Sequence, residues 1–178
     1  MRRLLALFVL FLALGVSDAT PRAAESLRIL PVVRGEHVLI SFELADAFTA
    51  EIREVIASGL RTTFTYNVEL RMEVPVWVDR TIASAVVSTS DDYDNLTRRH
   101  SLVRTLDGRV EEAIVTDDEA VVRRFMTTLE RMPMFRTSRL EPNRTYYVRV
   151  SVRARPNTAP LLGWVSAITG QARFTFIP

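Results

Sequence analysis

Cysteine is absent from the 178 residues, and so is lysine: all 23 basic side chains are arginine. Without cysteine there is no disulfide, no thiol nucleophile, no cysteine-ligated zinc and no lipid attachment at an N-terminal cysteine. The hydrophobic core alone must hold the fold, which a chain of this size can do. Charge of one sign is lacking too. A formal net charge of +2 sets up no global field to gather nucleic acid, so no nucleic-acid partner is expected. Using arginine throughout is explained most simply by genome composition, although arginine also suits stacked and bidentate contacts better than lysine does.

Signatures of catalysis are equally scarce. The six glycines are isolated, and no G-x-S-x-G, P-loop or G-x-G-x-x-G occurs. The two histidines are His37, in a predicted turn, and His100, in a predicted strand. Neither has a carboxylate or a second histidine at a local metal-ligand spacing, so each reads as a surface or strand-face residue. No catalytic residue, metal or cofactor is nominated, and a hydrolase is the weakest of the function classes considered.

What is present is a globular composition, 48% hydrophobic and 25% charged, on a chain of single-domain length. Met1 to Ala19 has the form of a secretory signal. Arg2 and Arg3 are followed by the apolar run Leu4–Val16, and Ser17-Asp18-Ala19 places small residues around a cleavage point. The apolar run is shorter than the ~20 residues of a spanning helix. The expectation is therefore a signal peptide over 1–19 and a single exported domain over 20–178, located in the periplasm. The alternative is an uncleaved segment that anchors the chain to the inner membrane.

The segment Phe64–Val78 dominates the fold prediction. Its even positions, Phe64, Tyr66, Val68, Leu70, Met72, Val74, Val76 and Val78, are all apolar, and the odd positions from Thr63 to Glu73 are polar. A period of two marks a strand with one dry and one wet face. Fully extended at about 3.3 Å per residue it would run ~50 Å, so a bend is expected at Pro75.

Before it, Leu27–Val33 and Val38–Leu44 form a predicted hairpin, and a helix runs from a Thr49 cap to Gly59. After it, strands are predicted over 81–89, 96–105 and 110–115, with turns at Ser90–Asn95 and Asp107-Gly108. Thr116 and Glu119 form a capping box for a second helix whose apolar side reaches Met132, ahead of Pro133. Strands over 144–155 and 173–177 complete the chain. The fold class is α+β: a mostly antiparallel sheet of about seven to eight strands with two covering helices.

Two features present contact chemistry. Arg149, Arg153 and Arg155 share the outward face of the 144–155 strand and form a candidate anion site, unless they pair across strands with Glu69 and Glu73. The second is Pro160–Gly170, in which Leu161, Leu162, Trp164, Val165 and Ile168 are too apolar for a solvated loop. These residues either close the core or present a contact patch for a protein or bilayer.

Finally, Ser58-Gly59-Leu60 before the long strand, Val76-Trp77-Val78-Asp79 and Tyr93-Asp94-Asn95-Leu96-Thr97-Arg98 together resemble the bacterial exported family catalogued as domain of unknown function 4390, over roughly residues 27–155. The resemblance implies a signal peptide, a single domain and no established activity. It also implies genes near a nitrogen-type sensor kinase, and hence envelope sensing. Where the family pattern carries a further tyrosine, this chain has His100. Three functions follow as expectations. A non-catalytic envelope module that binds another protein leads. A carrier of a lipid or other apolar ligand against the long strand, with Arg149 or Arg153 on an anionic headgroup, comes second, and a hydrolase last.

Overall fold

The computed structural model describes residues 27–45, 47–75, 78–156 and 168–177. The signal-like segment, Leu161, Leu162, Trp164 and Val165, Val76 and Trp77 of the long alternating run, and the side chain of Arg155 lie outside the described residues.

Strands β1 (Leu27–Arg34) and β2 (His37–Leu44) form the expected hairpin. Helix α1 (Ala50–Ala57) starts where Thr49 Oγ1 accepts the Ile52 N–H at 3.4 Å. It ends at Gly59, whose φ of +78° is left-handed and whose missing Cβ would stand 2.8 Å from Asn95 Nδ2. Only glycine meets both demands.

The long alternating segment is shorter than its periodicity predicts. Strand β3 spans Thr62–Met72, beginning two residues early and stopping before Pro75. The chain after Met72 is held otherwise: Asp79 accepts the Val74 N–H at 3.3 Å, which turns the segment back towards its neighbour. That neighbour, β4 (Arg80–Asp94), is correspondingly longer than expected. The acidic stretch read as a turn is strand through Asp94, with Ala85, Val87, Thr89 and Asp91 buried in alternation. The turn itself falls at Asn95–Arg98, where Asp94 Oδ1 accepts the N–H groups of Leu96 and Thr97 at 2.8 and 3.3 Å.

Strand β5 accordingly starts at Arg99 and runs to Leu106. The Asp107-Gly108 turn, with both φ values positive (+49° and +81°), leads into β6 (Arg109–Thr116). Helix α2 covers Glu119–Thr127, capped by Asp118, which accepts from Ala120 N at 2.8 Å. Thr116 instead accepts from Asp118 N at 3.1 Å, one step upstream of the predicted capping box.

The helix does not reach Met132. Thr128–Arg136 is a further strand, β7, which pairs with β2 and brings the total to nine among the described residues. Competition for the carbonyls at the end of α2 explains the switch. Tyr66 donates its hydroxyl to the Met126 carbonyl at 2.5 Å, as does Thr89 at 3.3 Å. Arg104 donates to the carbonyls of Phe125 and Thr128 at 2.8 and 3.1 Å. A buried cation over the negative end of a helix terminates it favourably, and here the Phe125 and Met126 carbonyls are both engaged by side chains. Glu112, 2.6 Å from Arg104, balances its charge, and the Phe125 ring lies 4.2 Å from the guanidinium.

Strands β8 (Thr145–Pro156) and β9 (Ile168–Thr175) complete a six-stranded sheet ordered β6-β5-β4-β3-β8-β9. β1, β2 and β7 form a second, three-stranded sheet, and every pairing in both is antiparallel. The core lies between the sheets and helices. Phe64, Tyr66, Val68 and Leu70 of β3 are at most 1% exposed, and Phe42 of β2 lies 4.5 Å from the Tyr66 ring. Each such side chain contributes about 1.5–3 kcal/mol by leaving water.

Candidate functional site

The face of the six-stranded sheet turned away from this core is the surface on which the candidate residues meet. Side chains alternate along each strand, so β3 sends Thr63, Thr65, Asn67, Glu69 and Arg71 to it, all partly exposed. Register then aligns rows across the sheet. Arg153, Thr65, Ser88, Thr105 and Val110 form one row, and Ser151, Asn67 and Val86 another. Thr63, Ser90, Val103 and Ala113 form a third. The face is thus graded: arginines at the β8 side, small hydroxyl and amide side chains in the centre, and aliphatic residues towards β6. The helices contact the opposite face, because the Met126 carbonyl of α2 is bound by Tyr66 and Thr89, which point inward.

At the β8 side, Tyr147 is only 5% exposed although it points outward. Arg71 and Arg149 each place a guanidinium 5.9 Å from its ring. The tyrosine hydroxyl donates to Asp79 at 2.8 Å, and Arg71 donates to the Asp79 carbonyl at 3.1 Å. These bonds hold the Asp79 carboxylate below its ordinary pKa, the tyrosine hydroxyl first and the Val74 N–H second. The Tyr147 hydroxyl is raised by desolvation and by that same acceptor.

The expected cross-strand pairing of β8 arginines with β3 glutamates is not made. Glu69 lies directly opposite Arg149, yet its ion pair is with Arg71 at 3.6 Å. Glu73 pairs with Arg173 of β9 at 3.5 Å. Among the described residues Arg149 and Arg153 have no carboxylate within ion-pair distance. Arg149 borders a shallow cleft of about 290 Å³ with Thr169, Gln171, Gly170 and Leu27. Arg153 is exposed four residues further along the strand. Ile168, the described member of the apolar segment, opens β9 opposite Val152 and is packed half-buried against the core.

One pair escapes a reading by local spacing. His100 Nδ1 stands 2.9 and 3.1 Å from the two carboxylate oxygens of Asp91, which is fully buried. When Asp91 is ionised, the ring N–H donates. The partners are nine residues apart, brought together by the β4–β5 hairpin in which Tyr93 faces His100 with ring centres 4.5 Å apart. The signal was available in the parity of β4: Asp91 falls in step with Ala85, Val87 and Thr89. Burial raises the Asp91 carboxyl above the ordinary range, and the hydrogen bond and charge of His100 partly oppose this. Chemically, such a pair fixes an imidazole's orientation. No hydroxyl is hydrogen-bonded to its Nε2 among the described residues, so it forms no relay to a nucleophile there.

These features define a two-sheet antiparallel α+β domain whose six-stranded sheet, among the described residues, keeps a polar outer face uncovered. The family model described as "Domain of unknown function (DUF4390)" matches residues 23–171. The chain belongs to that family. No curated protein and no solved structure matches it.

Proposed function

We propose that this protein is a non-catalytic interaction module of the cell envelope, acting in the periplasm after export. Its recognition surface is the uncovered face of the six-stranded sheet, and the partner is an envelope protein presenting an acidic segment. The observation that carries the reading is the pair Arg149 and Arg153. Both lie on that face without an ion-pair partner among the described residues, beside neutral hydrogen-bonding side chains at Ser151, Asn67 and Thr65. Exposed arginines matched to carboxylates confer specificity and rate of encounter, and their contribution falls with salt. The charged start and apolar run at Arg2–Val16 support export.

The interior supports a module over a carrier. The apolar side of β3 is occupied by side chains from the second sheet, with the Phe42 ring tilted against Tyr66, where a carrier would need space for its ligand. The Asp91–His100 pair would serve a hydrolase only with a nucleophile within reach.

The test is photo-crosslinking in the intact envelope from a reactive side chain placed at Ser151, between the two arginines. A single envelope protein crosslinked at Ser151, and lost in the Arg149→Glu/Arg153→Glu variant at unchanged thermal stability, supports the reading. Crosslinks indifferent to the charge reversal overturn it, as does a stoichiometric lipid in native mass spectra of the purified protein.

A further inference from the structure

Among the described residues four strands end a sheet, and three of them are guarded against pairing with another chain. β1 carries Pro31, and β7 carries Pro133 with two irregularities of register against β2. β9 is covered by β1: a Cβ at Gly170 would stand 3.1 Å from the Leu27 carbonyl oxygen. β6 is the exception. It has β5 on one side and no strand on the other among the described residues.

The usual guards fail on β6. It has no proline, and its two glutamates are neutralised within the protomer, Glu112 by Arg104 at 2.6 Å and Glu111 by Arg109 at 3.1 Å. Val110 and Val115 are both 59% exposed. The one irregularity, between Arg104 and Thr105 of β5, falls at Glu111 and leaves Glu112–Thr116 in regular register.

We infer that β6 is the contact surface for a second copy of this chain, the two six-stranded sheets joining edge to edge about a two-fold axis. The sequence of the regular stretch selects the register. An antiparallel two-fold pairing must centre on one residue, and centring on Glu112 would set like charges opposite each other. Centring on Ile114 sets Ile114 against its own copy and Ala113 against Val115. Glu112, already paired with Arg104, then faces Thr116. Apolar meets apolar on both faces of the joined sheet, and the exposed backbone groups of each edge find partners.

The absence of cysteine gives a direct test, because one introduced thiol reports the register. Residues facing each other in an antiparallel pair lie about 4.5–5.5 Å apart between Cα atoms, within disulfide range. In the chain as the cell makes it, Ile114→Cys forms a disulfide-linked dimer under mild oxidation, whereas Val86→Cys, equally on the sheet but two strands away, does not. Sedimentation velocity shows a concentration-dependent dimer whose dissociation constant rises about tenfold or more in Ala113→Lys/Val115→Lys. Both side chains are exposed in the protomer, so at concentrations where the wild type is monomeric the thermal unfolding of that variant stays at the wild-type value. A wild-type monomer at every concentration overturns the inference. So do a dimer insensitive to the two lysines, equal oxidation of both thiols, and capture by Ile114→Cys of a different protein.

Discussion

On β3, neighbouring side chains answer to opposite constraints. Phe64, Tyr66, Val68 and Leu70 are at most 1% exposed, while Thr65, Asn67 and Glu69 between them stay partly wet. The same backbone and the same two neighbouring strands serve both faces, so the contrast comes from what lies across from each. Inward, the second sheet and α2 complete a core in which volume and hydrogen bonds are fixed. Outward, nothing among the described residues dictates the side chain beyond its fit to the sheet. Substitutions on the two faces should therefore register in different measurements, stability on one and binding on the other.

The sharpest break of the comparison is Tyr66→Ala set against Thr65→Ala. Tyr66 fills the core beside Phe42 and caps the Met126 carbonyl, so its loss costs about 3–5 kcal/mol through the cavity and the orphaned acceptor. Thr65→Ala stays within about 0.5 kcal/mol. Denaturant unfolding of the two variants checks this. Comparable losses would mean that the outer face is also buried, against a partner present in the sample.

Next in size is Arg104→Met, which keeps most of the side-chain volume and removes the cation. The Phe125 and Thr128 carbonyls lose their donor and Glu112 its counter-charge. The expected cost is about 2–4 kcal/mol, read by denaturant unfolding. Arg153→Met, an exposed arginine of the outer face, changes stability by no more than about 0.5 kcal/mol. Equal effects would deny that the α2 terminus depends on Arg104.

How far this was legible in the sequence follows the same division. The inner face of β3 could be read directly, because the hydrophobic period is a local property of the chain. The hairpins at Gly35 and Gly108 were readable for a similar reason: turn residues carry their own conformational preference. β7 was not. Leu129 and Met132 fit a helical continuation of α2 as well as they fit a strand. The choice is made by distant groups, Tyr66, Thr89 and Arg104, that claim the carbonyls, and by the open edge of β2. Asp91 was misread for the same reason: an acidic run favours a turn locally, and only the pairing of β4 with β5 supplies the imidazole that lets a carboxyl be buried. On the outer face the three arginines were visible as a row. That Glu69 turns to Arg71, leaving Arg149 without an ion-pair partner among the described residues, is a matter of rotamers and competition that spacing does not encode.

The smallest expected effect concerns that buried carboxyl, an inward-facing residue whose neighbour Asp92 faces out. Burial raises the folded-state pKa of Asp91, with Asp92 adding to the rise and His100 opposing it. A carboxyl with a raised folded pKa binds its proton more tightly in the native than in the unfolded state. Its contribution to stability is therefore full below the unfolded pKa, near 3.9 for aspartate, and is lost as pH rises through the raised folded value. Asp91→Asn cannot titrate and still offers His100 an acceptor. The stability of the native protein relative to Asp91→Asn should thus fall as pH increases from the ordinary aspartate range upward, then level off once Asp91 is ionised. Thermal unfolding of the two proteins across that range measures the difference. A native protein that gains on Asp91→Asn as pH rises would mean that His100 outweighs burial, and that Asp91 belongs with the stabilising ion pairs of the outer face.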